Sequence, residues 1–202
     1  VAAWDGRARP EGSGNRLVRA FRERVVAAAL LPLTAPARRA LGDTVVVATE
    51  PAAWRLAAEQ PPHLLPQGFA TWTDLLLAAA DAAAATCPGP LDACSWGEAN
   101  RLAMRHPFAG VLPGLRGALS MPEAPQPGDA RVPRVSGPSF GASQRLVVAP
   151  GREERGILHM PGGQAGHPMA PYWGAGHDDW AEGRPSPLLP GRPRWTLRLV
   201  PA

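Results

Sequence analysis

Apolar positions in the first third of the chain repeat at helical spacing. Leu17, Phe21, Val25, Ala28 and Leu31 fall three or four residues apart, so the stretch from Asn15 to about Leu31 reads as an amphipathic helix with one apolar stripe. Pro32 is expected to end it. Thr44 to Ala48 is a β-branched run that reads as a short strand stopped by Glu50-Pro51, and the proline-rich segment His63 to Gly68 reads as a loop. A second helix is expected from Thr71, whose hydroxyl suits an N-cap with Asp74 three residues on, to about Ala85; its leucines and alanines predict burial. Ser95-Trp-Gly-Glu98 has the capping-box form and predicts a third helix carrying Ala99 to Met104, ending before His106-Pro107.

The second half loses the helical period. From Val111 to Pro138 glycine and proline dominate and irregular chain is expected. Gln144–Ala149 and Gly156–Met160 then read as two strands of an antiparallel hairpin joined by the polar loop Pro150–Arg155. Pro161-Gly162-Gly163-Gln164-Ala165-Gly166 reads as a tight turn, Pro171 to Glu182 as a short aromatic helix, and Trp195 to Val200 as a closing strand.

Composition changes this picture little. The 22 glycines and 25 prolines make up roughly a quarter of the 202 residues, near the level of low-complexity chains, but they sit between periodic apolar segments and so punctuate a loop-rich globular protein. The net charge of +4 comes entirely from arginine, for the sequence has no lysine. These arginines are scattered, with Arg22, Arg24, Arg38 and Arg39 the densest, and they form no basic face interleaved with aromatics, so nucleic-acid binding is not expected. No apolar stretch of about 18 residues is present, and no membrane span is expected. The opening Val1-Ala2-Ala3 has neither an initiator methionine nor the pattern of a signal peptide, and the chain reads as a processed product or a piece of a longer one.

Few residues invite a chemical reading. Cys87 and Cys94 flank Pro88-Gly89-Pro90, without the further soft ligands that zinc needs; a local disulfide in an exported protein and two unpaired small apolar residues are both open. Ser13, between Gly12 and Gly14, sits in a turn cluster where a loop and N-cap role is the simplest reading. His159, His167, His177, Asp178 and Asp179 are rich in metal-ligating types, but no pair has ligand spacing, so structural roles are expected and no metal site. Tyr172, Trp173 and Trp180 read as core, and His106 as a cap-region residue.

Several separated stretches resemble one family. Trp96-Gly-Glu-Ala-Asn-Arg101 with Arg105-His-Pro107, then Gly137-Pro-Ser-Phe-Gly-Ala-Ser-Gln-Arg-Leu-Val-Val148, then Met160-Pro-Gly-Gly-Gln164-Ala-Gly-His-Pro168 with Pro171-Tyr-Trp173 and Trp180-Ala-Glu-Gly183, resemble in order and spacing the late β chain of penicillin acylases. Trp4-Asp-Gly6 and the first helix resemble the segment before these, so the likeness covers residues 1–202. Ala165 and His167 depart from the serine and asparagine common in relatives, which argues for a backbone role of that turn, its glycines permitting positive φ.

The resemblance implies an α+β chain that is part of a four-layer αββα N-terminal-nucleophile hydrolase: helical over 1–110, loop-rich over 111–137, and with the hairpin and closing strand over 138–202. It implies hydrolysis of a small acyl amide of the penicillin, cephalosporin or acyl-homoserine-lactone type by a serine at the start of the β chain. Residue 1 here is valine, which has no hydroxyl to attack with, so the nucleophile is expected outside this chain and no catalytic residue within it. The partners implied are the remainder of the β chain and the α chain of one precursor, in the periplasm or secreted. No cofactor is expected here; calcium, where the family binds it, lies elsewhere. A non-catalytic interaction domain and a metal enzyme built on the His and Asp residues are the alternative readings.

Overall fold

A computed structural model describes residues 4–42 and 50–201. The expected strand at 44–48 lies outside them. The chain forms two compact units, the first ending at Ala99 and the second beginning at Asn100.

The first unit is helical: α1 Gly14–Leu41, α2 Glu50–Glu59, α3 Trp72–Ala84 and the single turn α4 Trp96–Ala99. Val25, Ala29 and Leu30 of α1 pack with Ala53 of α2 and with Trp72, Leu75 and Ala79 of α3 in two adjoining clusters. Helix α1 does not stop at Pro32 as expected. A proline costs a helix interior about 3 kcal/mol through its missing N–H and a clash with the carbonyl four residues back, and the packing of Ala29 and Leu30 against α2 and α3 holds the helix through it. The helix runs on to Gly42, whose positive φ of 86° closes it with a bond to Arg38 O. Helix α2 was hidden behind Glu50-Pro51, which opens a helix instead of ending a strand: proline is tolerated in the first turn, where its missing N–H has no partner to lose. Glu50 takes a hydrogen bond from Trp54 Nε1 at 3.1 Å and pairs with Arg22 of α1.

Thr71 caps α3 as expected, its hydroxyl accepting from Asp74 N at 3.1 Å. Burial follows one stripe, Trp72, Leu75, Ala79 and Ala83, while Leu77 on the opposite face is 59% exposed, so the helix is half-buried and not enclosed. The Ser95 hydroxyl accepts from Glu98 N at 3.3 Å, completing half of the capping box. The expected helix beyond Ala99 does not form, because the chain turns extended to pair Arg101 and Leu102 with a later strand and bury Leu102.

Among the described residues, the second unit holds three small antiparallel ladders. β1 Arg101–Leu102 pairs with β2 Ala124–Pro125, β3 Ser136–Gly137 with β4 Phe140–Gly141, and β5 Arg145–Val147 with β6 Ile157–His159. The last is the expected hairpin, in the register Arg145 to His159, Leu146 to Leu158 and Val147 to Ile157. The aromatic helix is shorter than expected, α5 His177–Glu182, and closes on Gly183 at positive φ. Leu102, Trp180 and Ala181 form a buried cluster in this unit. Trp195 to Val200 is not a strand: no neighbouring edge pairs its backbone, and Trp195 is 92% exposed. Alternating apolar residues make a strand only where a partner accepts the backbone hydrogen bonds. The described elements, helices and short antiparallel strands, are α+β in kind.

Candidate functional site

The residues singled out for chemistry do not converge. Ser13 stands at the N-cap position of α1, its carbonyl accepting from Leu17 N, but its hydroxyl makes no capping hydrogen bond. His159 is buried on β6 with Nε2 bonded to Arg184 O. His177 is buried at the start of α5 with Nδ1 against Pro161 O at 2.7 Å. Asp179 pairs with Arg184 at 2.7 Å, and His167 is exposed. Among the described residues, no group of three or more His, Cys, Asp or Glu side chains is placed to hold a metal ion. Through these hydrogen bonds His159 and His177 join separate turns of the chain. Cys87 and Cys94 form a disulfide, with their Cα atoms 5.4 Å apart.

Most of the shared motif residues do structural work. Trp180 is buried, with its Nε1 donating to Ala142 O at 2.9 Å, and a Cβ on Gly141 would meet its ring. Tyr172, read as core, is 70% exposed. Two arginines that the sequence reading passed over sit on the end of α5: Arg134 donates to Ala181 O at 2.5 Å and Arg145 to Trp180 O at 2.9 Å. Cations there satisfy carbonyls left free at a helix C-terminus and complement its dipole. Burial holds both guanidinium groups below their ordinary range, and in Arg134 the charge of Arg145 adds to it. At the glycine turn, Gly163 N donates to Trp173 O at 3.0 Å, and a Cβ on Gly163 would overlap Tyr172 O. The backbone role is thus close approach of two chain segments. Positive φ, the expected reason, is absent at Gly162 and Gly163.

One arrangement brings two histidines to the wall of an open pocket at the surface. A space of about 430 Å³ is lined by His106, Phe108, Leu115, Leu119, His167 and Met169, with Ala118, Gly166 and Pro168. Its two histidines stand in the same local structure. His106 Nδ1 accepts from Phe108 N at 3.2 Å, and His106 O from Ala109 N at 2.9 Å; His167 Nδ1 accepts from Met169 N at 3.1 Å, and His167 O from Ala170 N at 2.9 Å. Each is followed by proline, whose fixed φ favours such a turn. His106 caps the start of the 3₁₀ turn Pro107–Gly110 and not, as expected, the end of a preceding helix, because that helix stops at Ala99. The pairing of the two was missed; its signal was the repeated tripeptide of histidine, proline and a large apolar residue.

A family model described as penicillin amidase matches residues 1–193. The chain belongs to the penicillin amidase family. It therefore comes from a family of hydrolases that act on acyl amides. No curated protein matches the chain. No helix among the described residues is long and apolar enough to cross a membrane.

Proposed function

We propose that this chain is the late β-chain part of a penicillin-amidase-type acylase of the four-layer αββα fold, supporting an active site whose serine nucleophile lies outside these residues. The family match over residues 1–193 carries the reading. Four of the seven serines hold places in the local structure. Ser13 and Ser95 stand before helices, Ser120 Oγ donates to Arg116 O at 2.7 Å, and Ser136 Oγ donates to Pro127 O at 2.9 Å. The substrate class is a small acyl amide of the penicillin, cephalosporin or acyl-homoserine-lactone type, and the partners are the rest of the β chain and the α chain of the precursor.

The compartment proposed is an oxidising one, periplasmic or extracellular, and the Cys87–Cys94 disulfide supports it, since such bonds persist outside the reducing cytosol. Expressing the coding region together with its upstream sequence tests the whole reading. Self-processing to a chain that begins with serine, with hydrolysis of a phenylacetyl or long-chain acyl anilide, is expected; a longer product with neither would defeat it.

A further inference from the structure

We propose that the cavity between the two histidine-proline turns binds a small monocarboxylate with an apolar body, its oxygens received by the imidazole Nε2–H groups of His106 and His167. The proposal rests on the cavity's geometry and not on the amide hydrolysis proposed above, and either can fail without the other.

The turns decide what the histidines offer. An imidazole nitrogen that accepts a backbone N–H cannot carry a proton, so in the neutral ring the proton sits on the other nitrogen. His106 Nδ1 and His167 Nδ1 both accept, from Phe108 N and Met169 N. Both rings are therefore fixed as Nε2–H donors. The His106 ring is further held between Phe108 and Trp173, with centroids 5.1 and 5.8 Å away. Two segments about sixty residues apart in the chain thus place the same kind of donor side chain among the residues lining one space.

The rest of the lining sets the class of ligand. Phe108, Leu115, Ala118, Leu119, Pro168 and Met169 are apolar, and no lining side chain is acidic. With both Nδ1 atoms already engaged, the imidazoles offer donors, and the Met169 sulfur is a weak acceptor, so a head group that accepts hydrogen bonds suits the lining. A carboxylate has two oxygens and can accept one hydrogen bond from each imidazole. A volume of about 430 Å³ is within the usual span of small-molecule sites, which are mostly apolar with a few placed polar groups.

The test uses octanoate and phenylacetate as probes, with octan-1-ol as the control lacking a carboxylate. Titration calorimetry of the 202-residue chain is expected to show saturable octanoate binding with Kd on the order of 1 mM or tighter, and weaker binding of the alcohol. His106→Asn and His167→Asn keep an oxygen that can accept the same backbone N–H but lose the Nε2 donor. Each is expected to weaken octanoate about tenfold, as loss of one charge-assisted bond does, with an unchanged near-ultraviolet circular dichroism spectrum. Leu115→Trp, at a half-exposed position, fills the cavity and abolishes binding in a folded chain. If both asparagine variants unfold, Leu115→Trp decides: binding lost with the native spectrum supports the site, and binding retained overturns it. Absence of saturable binding, or equal affinity in the asparagine variants, overturns it too. Self-association that Phe108→Asp abolishes, without octanoate binding, would overturn it in favour of a protein-docking face.

Discussion

Asn100 donates from its Nδ2 to the Ser136 hydroxyl at 2.8 Å, at a point where both side chains are buried, Asn100 to 1% exposure. The same amide donates to Gln126 O at 3.0 Å, and Asn100 O accepts from Gln126 N. One side chain thus ties β1 to the segment after β2 and to β3. Asn100→Ala strips donors from groups with no access to water. Leaving buried acceptors unpaired costs about 1–3 kcal/mol each, so the variant is expected to lose about 3 kcal/mol in urea unfolding, measured with its second unit's tryptophan signal. Asn100→Ala with unchanged stability would show that water replaces the amide.

Gly163 and Gly166 lie in one turn and should respond differently. A Cβ at Gly163 overlaps the Tyr172 carbonyl, whereas none of the chain's atoms lies within 4 Å of one at Gly166. Gly163→Ala is expected to destabilise by about 3 kcal/mol through overpacking, and Gly166→Ala to be nearly neutral. A matched thermal-melt pair checks this, and equal effects would contradict the close-approach account of the turn.

The Cys87–Cys94 bond closes a short loop between α3 and α4. Chain-entropy arguments give about 2–3 kcal/mol for a loop of this size. The double variant Cys87→Ala, Cys94→Ala should show that loss in unfolding midpoint, and reducing agent should lower the parent's midpoint by the same amount while leaving the variant's unchanged.

A pH dependence follows from Glu123. Arg105 donates to it at 2.6 Å, and this hydrogen bond, with the guanidinium charge, holds the Glu123 carboxyl below its ordinary range. A carboxyl whose pKa is lower folded than unfolded stabilises the fold above its unfolded pKa, and the gain disappears as pH falls through the folded one. Both side chains are exposed, so the effect is small. Glu123→Gln should therefore be slightly less stable than the parent at pH 7, with the gap closing as the pH falls below the ordinary glutamate range. A gap that widens on acidification would refute the pairing.

Local signals were legible where one residue type does one job. Thr71 and Ser95 read as caps and are caps, and the alternation flanking Pro150–Arg155 became the β5–β6 hairpin. Signals failed where a partner outside the segment decides. Trp195 to Val200 alternates like a strand but meets no edge to pair with, and Pro32 reads as a stop although α1 absorbs it. Glu50-Pro51 was misread because proline ends one helix and opens another by the same missing N–H. The candidate cavity was not legible at all from the histidines taken singly. Only the folded chain brings His106 and His167 to one space.

The central claim, that this chain supports amide hydrolysis without supplying the nucleophile, is tested most directly by treating the purified 202 residues with a serine-reactive sulfonyl fluoride and weighing the product by mass spectrometry beside an acyl-anilide assay. The account predicts no stoichiometric adduct and no turnover above buffer. An adduct on Ser13, or on any other serine of this chain, together with hydrolysis that the adduct abolishes would contradict it.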